Sequence, residues 1–439
     1  MGASIRQQLD QYLTEKKEHH VDFLKQLVGF DSRIVNDGLT GKEGDIQRFI
    51  ANKLSEIGAD ELDIFEPEND RIKDLPGFNP NHDYTDRPNV VAIFKGSGGG
   101  RSLLINGHCD VVDTGNESLW TSGPFSCAER DGYLFGRGTA DMKGGLGAAI
   151  LALEAIQELG IKLAGDVIFT SVVDEEAGGN GTLACVEKGY RADGAIIMEP
   201  TGLEVHAANR GAFLAEFKVV GRPVHASLKG FGVNAIDKAY KLISALYELE
   251  KSWLLTKKHP LLSNPTINVG QIMGGDGASI VAGECTVRFD VEFFPREYDV
   301  EGQESIVDKN QVKQEVQDWL TRACEGDEWL REHPVQIHWY QETSAFQTDL
   351  DHPLVTTALD SIKRSLGQVT LSGFPAGCDG VYLANIGRMP VIIFGPGRIH
   401  QAHTINEYLE VRQYIDHIKA TANFIIDWVG IAGGVEIDQ

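Results

Sequence analysis

The sequence predicts an α/β protein: a mixed sheet flanked by helices, interrupted by a smaller inserted α+β domain of ferredoxin-like type. Three observations predict it. Strand-like runs alternate with helical periodicity over roughly the first 200 residues. Near Asn209 the pattern changes to a βα-β-βαβ set. The chain has 439 residues, too many for one ordinary core. The expected boundaries are 1–208 with 345–439 for the outer domain and 209–344 for the insertion.

Taken in order, residues 3–28 place Leu9, Tyr12, Val21, Leu24 and Leu27 on or near one helical face. From Glu43, the residues Ile46, Phe49, Ile50, Leu54 and Ile57 precede Gly58, an amphipathic helix with a glycine stop. Residues 66–88 are rich in Pro, Asn and Asp and read as a long surface loop. Strands are expected at 89–95 and 102–105, a helix at 143–159, and strands at 167–173 and 194–198. In the insertion, strands are expected at 213–220, 266–270, 285–293 and 335–340, with helices at 233–249 and 311–324. Helices at 353–366 and 408–429 then flank a strand at 391–394. No internal repeat or low-complexity tract is present.

Composition narrows the class without naming a function. Hydrophobic residues make up 42% and charged residues 24%, a globular balance. The net charge of −24 argues against nucleic acid and anionic membrane as partners and is compatible with cation binding. The cysteines at 109, 127, 185, 285, 324 and 378 form no Cys-x-x-Cys pair and read as reduced thiols of a cytoplasmic protein. The N-terminus carries no apolar signal core, and no run approaches the ~18 apolar residues of a membrane span.

Ligand-type side chains recur at the ends of the expected strands. The run Asn106-Gly-His-Cys-Asp110 follows one strand, with His108 and Asp110 on one side of an extended chain. Gly136-Arg-Gly-Thr-Ala-Asp-Met-Lys-Gly-Gly145 places Asp141 just before a helix. Val172-Val-Asp-Glu-Glu-Ala-Gly-Gly179 offers Glu175 and Glu176, Met198-Glu-Pro200 offers Glu199, and Ile399-His-Gln-Ala-His-Thr404 offers His403. Each has a plainer reading alone: a helix cap for Asp141, a solvated acidic turn for Glu175 and Glu176, surface imidazoles for His400 and His403. Together they converge on the crevice where open α/β sheets hold ligands. Imidazole plus carboxylate without thiolate suits zinc, with cobalt or manganese as alternatives. Two histidines and three carboxylates suffice for two metals sharing a carboxylate, about 3.5–4 Å apart.

These motifs resemble the co-catalytic zinc amidohydrolases that include acetylornithine deacetylase, succinyl-diaminopimelate desuccinylase, aminoacylase and glutamate carboxypeptidase. The resemblance covers nearly the whole chain except 66–88 and parts of the insertion. It implies two zinc ions bridged by Asp141, one completed by His108 and Glu199, the other by Glu176 and His403. It implies that Asp110 orients His108 through its carboxylate. It implies that Glu175 is the general base, which takes a proton from the attacking water and passes it to the leaving amine. His225, in Pro223-Val-His-Ala-Ser227, resembles the histidine that the family's inserted domain sends into the partner subunit's site to help hold the oxyanion. The insertion is then a lid and dimerisation domain, and the protein a homodimer.

The run from Gly395 to Glu410 is most similar to acetylornithine deacetylase. The insertion departs from members that bind a substrate carboxylate through an Asn and an Arg. Ser279 stands for the Asn and Glu292 for the Arg, so an anion-binding fork has become an anion. Arg288, two residues from the expected place, and Arg210 are the remaining cations that could hold a substrate anion. The resulting expectation is hydrolysis of the amide bond of a small N-acyl amine or N-acyl amino acid. An N-formyl aminopyrimidine deformylase, a desuccinylase, and a dipeptidase or carboxypeptidase are the alternatives. A catalytically silent binding protein is the competing class, and the presence of Glu175 and every ligand speaks against it.

Overall fold

In the computed structural model of the chain, residues 4–36, 38–298 and 303–433 are described. The chain divides into two compact units, one of residues 208–347 with 375–377, the other formed by the remainder.

The larger unit is organised by a mixed sheet. From Val205–Asn209 its strands run on through Val391–Ile393, Gly194–Ile197, Leu103–His108, Val167–Val172, Asn89–Phe94 and Glu61–Phe65, and Leu371–Phe374 also pairs with Val205–Asn209. The four from Val391–Ile393 to Val167–Val172 are mutually parallel. Their residues are buried throughout, as expected of a sheet covered on both faces. Register aligns His108 with Val172, Asn106 with Ile197, and Ile197 with Ile393. The C-terminal ends of these strands therefore lie along one edge, and the chain leaves that edge at His108, Val173, Met198 and Phe394.

Helix Lys143–Glu158 packs on this sheet and against Val411–Val429. Its first turn is glycine-rich because a Cβ on Gly145 would fall against the Met198 carbonyl oxygen.

The smaller unit has the βαββαβ order. Its antiparallel sheet runs Ile267–Gly274, Glu284–Phe293, Gly211–Val220, Ile337–Thr343. The strand Gly211–Val220 alternates buried and more exposed residues. The inward set, Phe213, Ala215, Phe217 and Val219, packs in one core with Leu242, Leu246 and Trp253 of helix Ala235–Thr256 and Val316 and Leu320 of helix Lys309–Glu325.

Two expectations differ from the structure, and a third holds only in part. The stretch expected to share one helical face is two helices, Ile5–Glu15 and Lys17–Gly29, broken at Lys16. The segment 408–429 begins as a strand, Tyr408–Glu410, paired with Tyr133–Phe135, and turns helical only at Val411. The stretch 66–88 is largely exposed and irregular, as expected of a surface loop, but it contains the helical turn Asn69–Ile72 and buries Ile72, His82, Tyr84 and Arg87. The cysteines are all free and buried. No helix among the described residues is long and apolar enough to cross a membrane.

Candidate metal centre

The crevice at the C-terminal strand ends collects His108, Asp141, Glu175, Glu176, Glu199 and His403. His108 is the last residue of its strand and is buried. Its Nε2 lies 3.2 Å from Asp141 Oδ1, 3.7 Å from Glu199 Oε1 and 3.8 Å from Glu175 Oε2. The half-exposed His403 points its Nε2 at Glu176 Oε2, 2.8 Å away, and at Asp141 Oδ2, 3.4 Å away. The two oxygens of Asp141 thus face different histidines. Two overlapping groups satisfy metal-ligand spacing, His108 with Glu175 and Glu199, and His108 with Asp141 and Glu176.

The donor set fits divalent cations. Burial raises the Glu175 and Glu199 carboxyls well above the usual range, and neighbouring carboxylates push the same way. Glu176 is pushed up to about 7 by burial and by Asp141. Burial opposes charge on Asp141 too, but bonds to His108 and His403 hold it below the ordinary range. His403, bonded to Asp141 and Glu176, rises to about 10. The protein gathers more negative charge here than its two imidazoles balance, as a cation site requires.

Asp110 acts differently from the expectation. The Nδ1 of His108 donates to the Asp110 backbone carbonyl at 2.9 Å. The Asp110 carboxylate stands farther off, at 3.7 Å. It accepts instead the backbone N–H groups of Glu175, at 3.4 Å, and Glu176, at 3.1 Å. The carbonyl fixes the imidazole tautomer while the carboxylate holds the turn bearing the two glutamates.

Two supporting residues escaped the sequence reading. Glu407, fully buried, accepts from Arg137 Nη1 at 2.7 Å and from the backbone N–H groups of Gly138, Ala140 and Asp141 at 3.0, 2.8 and 3.1 Å. It fixes the turn that presents Asp141. Its signal was its place four residues after His403, in a run too polar to read as buried. Asp379, also buried, accepts from the Thr182 hydroxyl at 2.7 Å, and burial raises its carboxyl to about 7.

The remaining predicted residues lie in the smaller unit. Arg210 is not an open anion site: its guanidinium is paired with Glu292 and bonds Ser263, and the Thr266 hydroxyl donates to the same Glu292 oxygen at 3.2 Å. Arg288 is exposed and donates to Glu216 at 2.9 Å. His225 is exposed, and its Nδ1 accepts the Ser227 N–H at 3.2 Å. Ser279 sits beside it, its carbonyl accepting the Ala226 N–H at 2.8 Å.

Residues 104–427 match the model of peptidase family M20/M25/M40. The chain is 32% identical over 449 residues to the N-formyl-4-amino-5-aminomethyl-2-methylpyrimidine deformylase of Bacillus subtilis, covering 96% of this chain and 97% of that one. It is 28% identical to the acetylornithine deacetylase of Photorhabdus laumondii, covering 92% and 98% of the two chains. A tripeptidase of Staphylococcus aureus shares the fold, with a TM-score of 0.71 at 22% identity over 94% of this chain and 98% of that one. With the match spanning most of its length and a relative of this identity along nearly all of it, the chain belongs to peptidase family M20/M25/M40.

Proposed function

We propose that this protein is a metal-dependent amidohydrolase that deformylates a small N-formyl amine of the aminomethylpyrimidine class. The chemistry is carried by one observation: the two oxygens of Asp141 face His108 and His403 separately, at 3.2 and 3.4 Å. The substrate class follows from the likeness to the deformylase along nearly the whole of both chains. It is supported by Arg210, whose cation is already neutralised by Glu292 and is not free to take a substrate carboxylate.

In this reading two zinc ions would be held by His108 and Glu199 on one side and Glu176 and His403 on the other, with Asp141 between them. When bound, they supply Lewis-acid polarisation of the amide carbonyl and a hydroxide at neutral pH. Glu175 takes the proton of the attacking water and delivers it to the amine nitrogen as the C–N bond breaks. The products are formate and the free amine. His225 is the oxyanion donor: with Nδ1 accepting from Ser227, a neutral ring carries its proton on Nε2.

The smaller unit is the lid and the dimer contact, so His225 serves the partner's site. Supporting this, the edge strand Ile267–Gly274 exposes Ile272 and Met273, and the helix Ala235–Thr256 exposes Tyr240 at 71%. Six buried free thiols suit a reducing compartment, the cytoplasm.

The test is hydrolysis by zinc-loaded protein of the formyl aminopyrimidine, N-acetylornithine, N-succinyl-diaminopimelate and a set of dipeptides, with Glu175→Ala as control. Formate release from the first, absent in the control, is expected. Turnover confined to N-acetylornithine or to peptides would refute the substrate assignment, and an active control would remove Glu175 from the mechanism.

A further inference from the structure

The stretch 66–88 delivers its polar side chains to the turn that bears Glu175. Asp174, the residue before Glu175, is fully buried and sits in the left-handed region at φ 70°. Its carboxylate accepts from His82 Nδ1 at 2.8 Å and from the Tyr84 hydroxyl at 2.7 Å. The Arg87 guanidinium stands at 3.5 Å and is itself bonded to buried Glu43 at 2.9 and 2.7 Å. The far side of the turn is held from the same stretch. Asn79 Nδ2 donates to the Gly178 carbonyl at 2.8 Å, and the Asn79 backbone and Asn180 side chain exchange bonds of 3.0 and 2.8 Å. Asn180 Nδ2 also donates to the Tyr84 oxygen at 2.8 Å.

A non-glycine residue in the left-handed region is disfavoured unless its surroundings over-determine it. Here the side-chain bonds of Asp174 supply that determination. Asp110 takes the N–H groups of Glu175 and Glu176 from the other side. The backbone at 174–176 is therefore fixed on both flanks, and with it the starting direction of the Glu175 side chain.

We propose that His82, Tyr84 and Asp174 are positioning residues: the 79–87 segment clamps the Asp174 turn and so aims the Glu175 carboxylate. This rests on the reading of Glu175 as the general base. None of the clamp residues supplies a metal ligand, and Glu176, the ligand on the same turn, has its own anchors in the Asp110 carboxylate and His403, so loosening the clamp should disturb the base before it disturbs metal binding. Arg87 also ties the stretch to Glu43 at the head of helix Gly44–Glu56.

The experiment compares His82→Leu, which loses the donor, with His82→Asn, whose amide nitrogen can replace Nδ1, in zinc-loaded protein with the formyl aminopyrimidine as substrate. His82→Leu should lower kcat about 10- to 100-fold, the range for outer-shell partners, with KM within about twofold. His82→Asn should restore kcat to within a few-fold. Zinc content should stay that of the wild type in both. Independently of activity, hydrogen exchange at the amides of 175–180 should quicken in His82→Leu and return in His82→Asn. Zinc lost in parallel with activity, unchanged exchange at these amides, or failure of asparagine to restore kcat would each overturn the clamp. Glu175→Ala separates the two readings. If it is inactive while His82→Leu is fully active, the clamp fails and the base stands; if it is active, the base assignment itself fails.

Discussion

Replacing Glu407 by glutamine removes one charge from a buried pair and leaves the other. Arg137 and Glu407 are 3% and 0% exposed and meet at 2.7 Å. Glutamine retains Oε1, which accepts from Ala140 and Asp141, so the turn presenting Asp141 keeps two of its anchors. At the other oxygen an NH2 group would face Arg137 and the Gly138 N–H, donor against donor. An uncompensated buried charge of this kind costs about 3–5 kcal/mol. That is a large part of the roughly 5–15 kcal/mol that holds a domain folded. The assay is urea unfolding of the zinc-loaded protein, with zinc content measured alongside. Adding Arg137→Met to Glu407→Gln removes the stranded charge. It should recover most of the loss and leave about 1–2 kcal/mol for the unpaired Gly138 N–H. A single variant within about 1 kcal/mol of wild type would refute the buried-pair reasoning. A double variant no better than the single would assign the loss to the turn amides instead.

Other expectations follow from the same structure. Chelation with EDTA should lower the melting temperature and zinc should restore it, because the cations neutralise buried carboxylates; an unchanged transition would contradict the site. Gly145→Ala should destabilise by about 1–3 kcal/mol and weaken zinc binding, because the new methyl displaces the helix from the Met198 carbonyl beside Glu199; wild-type stability and zinc content would count against that. Burial lowers His417 to about 3, although its bond to the Phe394 carbonyl favours the charged form. Its folded pKa lies below the unfolded value near 6.5, so its contribution is complete above about 6.5 and falls by about 1.4 kcal/mol per pH unit as acid is added. His417→Gln should flatten the stability profile below pH 6.5 by about that slope, and an unaltered slope would exclude a neutral His417.

Four of the five candidate ligands, all but Asp141, were legible because each follows a short apolar run. A run of that kind marks a strand, and parallel strands end together. His108, Glu176, Glu199 and His403 are far apart in the chain, yet each directly follows or closes such a run or its turn. What stayed hidden depends on tertiary partners. The stretch 66–88 has the composition of a surface loop, and nothing local shows that His82, Tyr84 and Arg87 are buried against Asp174 and Glu43. Glu292 was read as an anion exposed to a substrate because Arg210, its partner, lies 82 residues away in sequence. The resemblance assigns the orienting role to the Asp110 carboxylate, and nothing in the sequence shows that the backbone carbonyl of the same residue takes the His108 Nδ1 instead. The strand Tyr408–Glu410 was absorbed into the following helix because its partner, Tyr133–Phe135, was itself too short to recognise.

The account stands on Asp141 lying between two metal ions, and the most direct measurement is anomalous diffraction at the zinc edge from crystals of the zinc-loaded protein. It predicts two peaks about 3.5–4 Å apart, one beside His108 and Glu199 and one beside Glu176 and His403, with an Asp141 oxygen on each. A single peak, or zinc held without Asp141, would contradict it.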